Sequence, residues 1–153
     1  MIKIDLLKNH PNAIPALAQI LKEELYNDFP EYDTQEINRW FYEWMNDDLP
    51  LAYIALLNDI PIGCCSLQLD DGLRPDLFPW FGDLAVKKEH QKQGIGKMLI
   101  DVTVLKAKEL GFEKLYLFAF DPTIPEYYER LGWRKIGMDE FKSHPVTVME
   151  VVL

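Results

Sequence analysis

A short segment that contains glycine and lysine, residues 91–97, has the residue types that bind a phosphate group. Its sequence is QKQGIGK, and it lies between an apolar run that ends at Val86 and a helical pattern that begins at Gly94. The first turn of a helix has N–H groups without intrahelical partners and carries partial positive charge. Glycine has no Cβ, so a phosphate can approach the backbone closely. The segment therefore predicts a diphosphate ligand at the start of this helix.

Two common nucleotide-binding motifs do not fit this segment. A P-loop needs serine or threonine after its lysine, but Met98 follows Lys97. A Rossmann motif needs a further glycine or alanine three residues after Gly96, where Leu99 stands. On local sequence alone, a strand-to-helix turn that binds no ligand remains an alternative.

The distribution of charge favours an anion site here and disfavours nucleic acid as a partner. The net charge of the chain is -9, whereas a surface that binds nucleic acid must be basic. Residues 87–97 contain four lysines and one acid, a net charge of +3. Residues 20–48 contain nine acids and two bases, a net charge of -7. We therefore expect a local anion site in an otherwise acidic protein that attracts cationic partners.

Cysteines and apolar runs give no sign of a metal site or a membrane span. Cys64 and Cys65 are adjacent and have no metal-ligand spacing around them, so we expect two reduced strand cysteines and no bound metal. No apolar run reaches the roughly 18 residues of a membrane span, and the first residues lack signal-peptide features. The sequence predicts one domain over residues 1–153, located in the cytoplasm and not in a membrane.

Hydrophobic periodicity predicts a mixed α/β fold in the order βααβββαβαββ. Ile2–Leu7 is expected to be an edge strand, and Asn12 and Asp33 are the expected caps of the first two helices. The predicted helices are 12–26, 34–46, 94–110 and 123–131. The other predicted strands are 51–57 and 62–69, which form a hairpin, 80–86, 115–120, and a second hairpin of 133–137 and 146–152. The third helix should end at Gly111 and bury one face made of Ile95, Met98, Leu99, Val102 and Leu105.

Two motifs resemble the GCN5-related N-acetyltransferase (GNAT) family. The family signature Q/R-x-x-G-x-G/A follows a strand that ends in valine, and here it is Gln91-x-x-Gly94-x-Gly96 after Val86. A second family motif, N-x-x-A-x-x-F-Y-x-x-x-G-F, is similar to residues 121–133. The resemblance covers essentially the whole chain. It implies a mostly antiparallel sheet with helices on both faces, in an N-acetyltransferase that uses acetyl-CoA as acyl donor.

The resemblance also implies roles for individual residues. In the family, the loop binds the coenzyme A pyrophosphate, the preceding strand pairs with the pantetheine arm, and a tyrosine protonates the departing thiolate. That tyrosine is Tyr128 here, with ordinary helix packing as the alternative role. The implied cofactor-binding residues are Leu84, Ala85, Val86, Gln91, Lys92, Gln93, Gly94, Ile95, Gly96, Lys97, Asp121 and Tyr128.

The sequence departs from the family pattern at two positions. Asp121 stands where the family usually has asparagine, and an ionised carboxylate cannot donate a hydrogen bond, so we expect this contact with the coenzyme to differ. Trp80 stands where some members have a glutamate base, so no base is carried over. The candidate bases are Asp83, acting through a water, and an acid of the first two helices. A solvated or salt-bridged strand residue is the alternative role for Asp83.

The acceptor in this family commonly lies near the first two helices and the loop before the fourth strand, and both segments are acidic here. We therefore expect the acceptor to be a cationic small amine, such as a polyamine, an aminoglycoside or another amine metabolite. A solvated acidic face is the alternative explanation of this charge. A protein lysine or N-terminal acetyltransferase and a non-catalytic acyl-CoA-binding module remain alternative functions. Homodimers are common in the family, although no residue here requires one.

Overall fold

The computed structural model describes residues 1–153 and contains seven strands and four α-helices, in the predicted order. The strands are β1 (Ile2–Leu6), β2 (Leu51–Leu57), β3 (Ile60–Gln68), β4 (Trp80–Val86), β5 (Lys114–Ala119), β6 (Arg134–Phe141) and β7 (His144–Val152). The helices are α1 (Ile14–Glu24), α2 (Thr34–Glu43), α3 (Ile95–Glu109) and α4 (Ile124–Arg130). The mixed α/β class predicted from the sequence is confirmed.

The strands are hydrogen-bonded in the order β1-β2-β3-β4-β5-β7-β6. The pairs β1–β2, β2–β3, β5–β7 and β6–β7 are antiparallel. The pair β4–β5 is parallel, and its register consists of a single residue pair, Trp80 opposite Tyr116. The edge position predicted for the first strand is confirmed, because β1 lies at one end of the sheet.

Left-handed backbone at the turns explains why the two predicted hairpins form. Asn58 and Asp59 connect β2 to β3 with φ of 50° and 67°, and such primed turns match the twist of the paired strands. Lys142 and Ser143 connect β6 to β7 with φ of 48° and 69°. The second hairpin is longer than predicted, since β6 extends to Phe141.

The helix ends agree with the sequence at two positions and differ at one. The Asp33 side chain accepts a hydrogen bond from the Glu36 N–H at 2.8 Å, which is the predicted cap of α2. Gly111 has φ of 91° and follows the end of α3, as expected of a C-terminal stop. The cap predicted at Asn12 is wrong. Asn12 lies within a 3-10 turn, and the residue before α1, Ala13, makes no side-chain cap.

The buried face of α3 differs from the predicted one. Ile95, Leu99 and Thr103 are buried at intervals of four residues, whereas Met98 and Leu105 are 39% and 56% exposed. The buried stripe is therefore rotated around the helix from the predicted stripe. A polar contact explains why Thr103 is buried in this stripe: its hydroxyl lies 3.3 Å from the Cys65 thiol of β3.

The chain comprises two compact units. The first contains Met1–Leu67 and Asp83–Thr103, and its core includes Leu17, Leu21 and Phe41. The second contains Gln68–Gly82 and Val104–Leu153, and its core is centred on Trp80, Tyr116 and Val148. The single domain expected from the sequence remains a prediction. None of the helices has both the length and the hydropathy needed to cross a membrane.

Candidate active site

The phosphate loop predicted from the sequence leads into the N-terminus of α3. Lys92 and Gly94 have positive φ of 62° and 83°, and α3 begins at Ile95, one residue later than predicted. The Met98 N–H donates to the Gly94 carbonyl at 3.1 Å, which makes the first helical hydrogen bond. The N–H groups of Ile95 and Gly96 precede that bond, where a helix leaves its donors for a ligand or solvent.

The two glycines of this loop have different physical requirements. A Cβ at Gly94 would meet no atom within 4 Å, but the φ of 83° favours glycine there. Gly96 has ordinary helical backbone, and a Cβ there would lie 3.9 Å from Leu84 Cδ2, an ordinary contact. Neither backbone strain nor crowding therefore requires glycine at position 96. The bare backbone there leaves room for a phosphate, so the residues present fit the coenzyme diphosphate.

Gln91 attaches the loop to the elements beside it. Its side-chain amide donates to the Val86 carbonyl at 2.8 Å and to Glu24 Oε1 at 2.7 Å. These two bonds connect the loop to the end of β4 and to the end of α1. The Gln91 side chain therefore has a structural role in positioning the loop, whichever groups its backbone binds.

The lysines around the loop are exposed, and two of them have acidic partners. Lys97 Nζ lies 2.7 Å from Asp101, and Lys87 Nζ lies 3.8 Å from Glu89. Ion pairs between exposed side chains add little to stability, so both lysines remain available to an anion. Lys88 and Lys92 are also exposed, and together the four side chains retain the positive field inferred from the sequence.

The end of β4 is held closely against β3. A Cβ on Gly63 would lie 3.0 Å from the Ala85 carbonyl oxygen and 3.4 Å from a Val86 methyl group. Glycine at position 63 therefore permits the close approach of the two strands. The Lys87 N–H also donates to the Ile62 carbonyl at 2.8 Å. These contacts fix the backbone of Leu84, Ala85 and Val86.

Asp83 is buried in β4 with a left-handed backbone, at 7% exposure and φ of 55°. Tyr26 Oη donates to its Oδ1 at 2.5 Å, and Ser66 Oγ donates to its Oδ2 at 2.7 Å. Burial raises the pKa of Asp83, and the two hydroxyl donors oppose that rise. The alternative of a solvated strand residue is wrong, because strand position 83 faces the interior and hydroxyls replace water there.

The thiols next to this carboxyl group are not reactive. Cys64 and Cys65 are both free and buried, as expected of reduced strand cysteines. Burial raises the pKa of Cys64 well above its usual value and that of Cys65 to about 12. The Cys64 thiol contacts the Asp83 carbonyl oxygen at 3.5 Å. Both thiols are therefore protonated near neutral pH and unsuited to nucleophilic attack.

The two site residues predicted on and before α4 lie in the second unit. Tyr128 is buried, and its ring makes edge-to-face contact with Trp133 at 5.6 Å. Asp121 is exposed, and its Oδ1 accepts hydrogen bonds from the N–H and hydroxyl of Thr123 at 2.8 Å. These bonds lower the pKa of Asp121, so it is an ionised turn residue. The acid role of Tyr128 remains a prediction.

Sequence reasoning missed the two hydroxyl partners of Asp83. Tyr26 is 57 residues away along the chain and Ser66 is 17 residues away, so no local motif connects them. Tyr26 was predicted only as the last residue of the first helix. In the structure it lies after α1, in the connection to α2.

The sequence profile of the acetyltransferase (GNAT) family matches residues 14–133 of this chain, which includes the phosphate loop, Asp83 and Tyr128. The chain therefore belongs to the acetyltransferase (GNAT) family. Membership confirms the family, the class of enzyme and the acyl donor, acetyl-CoA, that the two sequence motifs predicted.

Individual relatives agree with this assignment. The chain is 29% identical over 96 residues to the uncharacterized N-acetyltransferase CgeE of Bacillus subtilis (strain 168), a match that spans 62% of this chain and 36% of that protein. The fold is similar to that of an aminoglycoside 6'-N-acetyltransferase complexed with coenzyme A, with 18% identity, a TM-score of 0.76, and coverage of 99% and 96% of the two chains. It is also similar to a chain of the NatC complex bound to Gag peptide and CoA, with 19% identity, a TM-score of 0.76, and coverage of 99% and 98%.

Proposed function

We propose that this chain transfers the acetyl group of acetyl-CoA to a primary amine on a cationic small molecule. The observation that carries the proposal is the acidic connection between α1 and α2. Asp28 and Glu31 are exposed there, next to the buried Tyr26 that contacts Asp83. Exposed carboxylates attract an ammonium group and orient it before transfer. A polyamine, an aminoglycoside and another amine metabolite all have this chemistry.

The proposal assigns one role to each part of the site. Backbone N–H groups of residues 91–97 bind the pyrophosphate. Residues 84–86, the last three of β4, pair with the pantetheine arm. Acetyl-CoA, when bound, supplies a thioester that an amine can attack. Asp83 accepts the proton that the ammonium must lose, and Tyr128 donates a proton to the departing thiolate. Asp121 contacts the coenzyme differently from the usual asparagine, because an ionised carboxylate cannot donate a hydrogen bond and its Oδ1 already accepts two bonds from Thr123.

An assay of free thiol release over a panel of amines tests the acceptor class. The panel contains polyamines, aminoglycosides, neutral primary amines and lysine peptides. We expect faster release with polyamines or aminoglycosides than with neutral amines. Turnover of peptides alone would instead support a protein acetyltransferase. Binding of acetyl-CoA without turnover of any amine would support a non-catalytic acyl-CoA-binding module.

Charge reversal at Asp28 tests the acidic connection more directly. Glu24 is a poor probe because it binds Gln91 of the loop, whereas Asp28 is exposed. We expect Asp28→Lys to raise the acceptor KM by roughly three- to tenfold, with a smaller effect at high salt. Glu109→Lys, at the exposed end of α3 and outside the acidic segments, makes the same charge change and should leave KM unchanged. An equal KM for Asp28→Lys and wild type would contradict electrostatic attraction by this segment.

Two further parts of the proposal concern the whole protein. We place it in the cytoplasm, and we keep a homodimer as a prediction, to be checked by light scattering of the purified protein.

A further inference from the structure

The Asp83 carboxyl group is separated from solvent by its two hydroxyl partners. Asp83 is 7% exposed, and Tyr26 and Ser66 each occupy one of its oxygens. The thiol of Cys64 lies against its backbone carbonyl. Little of this residue is therefore open to an amine in solution. Both hydroxyl groups are close enough to pass a proton to the carboxylate.

Tyr26 is the better placed of these two hydroxyl-bearing residues. Ser66 is 1% exposed and lies within β3, whereas Tyr26 is 8% exposed and lies in the α1–α2 connection. That connection also contains the exposed carboxylates Asp28 and Glu31. The Tyr26 hydroxyl is thus the one that shares a segment with the expected acceptor site.

The position of the Tyr26 ring is fixed by its neighbours. Lys22 Nζ donates to the carbonyl oxygens of Tyr26 at 2.9 Å and Phe29 at 2.8 Å, which holds the connection in place. The Tyr26 ring makes edge contacts with Phe29, Tyr32 and Trp40, at centroid distances of 5.7, 5.5 and 5.3 Å. The hydroxyl is therefore directed at Asp83 by packing as well as by its hydrogen bond.

Resting on the proposed function, we propose that the acceptor's proton reaches Asp83 through the Tyr26 hydroxyl, with Ser66 as a positioning residue. The N–H bond of the ammonium breaks as its proton binds Tyr26 Oη, and the original Tyr26 O–H bond breaks as that proton binds Asp83 Oδ1. The ammonium becomes a neutral amine, and the carboxylate becomes a carboxylic acid. Apart from the acceptor itself, the relay uses only side chains of this protein. It replaces the water that was expected, from the sequence, to carry the proton to Asp83.

The surroundings of Asp83 set the pH at which this relay works. The titratable groups close to Asp83 include Tyr26, Cys64 and Cys65, and the two thiols are neutral. A hydrogen bond to a carboxylate stabilises its charged form. Loss of either hydroxyl donor should therefore raise the pKa of Asp83.

Kinetics of four single variants and one double variant, with an amine that the wild-type protein acetylates, test the relay. We expect Tyr26→Phe and Asp83→Asn each to lower kcat by roughly 100-fold or more, the usual value of a positioned proton acceptor. The double variant should be no slower than the slower single variant, because the two groups act as one unit. Ser66→Ala should mainly move the acid limb of the kcat profile to higher pH. The control Tyr116→Phe removes a tyrosine hydroxyl from the core of the second unit and should stay within about twofold of wild type.

A titration that needs no acceptor keeps the relay testable if every amine fails. The pKa of Asp83, measured from its carboxyl carbon by NMR, should rise in Tyr26→Phe and Ser66→Ala and stay unchanged in Tyr116→Phe. No turnover of any amine would overturn the proposed acceptor class, and the titration would then decide the relay. An unchanged Asp83 pKa in Tyr26→Phe overturns the relay, and so does a wild-type kcat in that variant.

Discussion

The phosphate loop and the buried carboxyl group lie close together along the chain but differ in their chemistry. Asp83 lies within β4, and the loop begins just after the strand ends at Val86. The loop is exposed, and in the proposed function it binds an anion through backbone N–H groups and nearby lysines. Asp83 is enclosed by the hydroxyls of Tyr26 and Ser66, and its own charge is negative. In the proposed function, the anionic acyl donor binds after the end of β4, and the cationic acceptor transfers its proton to Asp83 within the same strand.

The two regions should also differ in their dependence on pH. The proposed role of the loop depends on backbone N–H groups, which do not titrate. The pKa of Asp83 is raised by burial, so its charge depends on pH closer to neutral. Changes in the loop should therefore alter coenzyme affinity at every pH, whereas changes around Asp83 should alter a pH profile.

The largest expected effect follows a carboxylate placed in the loop. Saturating acetyl-CoA, at about 100 times its Kd, should stabilise the wild-type protein by about 2.7 kcal/mol. That corresponds to a rise in Tm of roughly 5–11 °C. Gly96→Glu should abolish this rise because its charge and bulk occupy the phosphate position, while the 3.9 Å spacing to Leu84 lets the variant fold. The measurement is a thermal melt with and without ligand.

A matched variant separates this local effect from a general effect of charge. Gly137 on β6 is exposed, and a Cβ there meets no atom within 4 Å. Gly137→Glu should keep the whole ligand-induced rise in Tm. If Gly96→Glu also kept the rise, residues 91–97 would not be the coenzyme site.

The same contrast explains what could be predicted from the sequence. Some features depend on a few consecutive residues and could therefore be predicted. They are the loop, the Asp33 cap and the turn at Asn58-Asp59. The order of helices and strands along the chain, and the family, followed from such local motifs taken in sequence. The start of the loop helix was predicted to within one residue for this reason.

Features that depend on distant residues could not be predicted in this way. Asp83 is the single charged residue of β4, and its own strand does not show what satisfies the charge. The hydroxyls of Tyr26 and Ser66, from other elements, show that the buried carboxyl group is hydrogen-bonded. Met98 and Leu105 have the spacing of an apolar helical face, yet both side chains are exposed on α3. Periodicity gives the presence of an apolar stripe, but the neighbouring strand decides which stripe is buried.

A smaller effect is expected in the pH dependence of unfolding. Burial raises the pKa of Asp83 above its unfolded value, so the native state holds this proton more tightly. The resulting stabilisation is complete below the unfolded pKa of about 3.9 and is lost as the pH rises through the native pKa. Asp83→Asn has no such proton and tolerates the left-handed backbone, as aspartate does. Its stability relative to wild type should therefore increase with pH, by about 1.4 kcal/mol for each unit by which the pKa is raised.

Urea denaturation of both proteins from pH 4 to pH 8 measures this difference. The other titrating groups are common to both proteins and cancel in the comparison. A difference in unfolding free energy that stays constant over this range would contradict the raised pKa. A difference that moved in favour of wild type would show that the two hydroxyl donors outweigh burial.

The smallest expected effect compares the two loop glycines in the absence of ligand. Gly94→Ala should destabilise the protein by about 1 kcal/mol, because alanine is strained at φ of 83°. Gly96→Ala should stabilise it by about 0.5 kcal/mol, because Gly96 has helical backbone and its Cβ has room. If ligand approach is the reason for glycine at position 96, Gly96→Ala should nevertheless weaken acetyl-CoA binding measured by calorimetry. A Gly96→Ala variant that is more stable and binds as tightly as wild type would leave glycine at that position without a role in coenzyme binding.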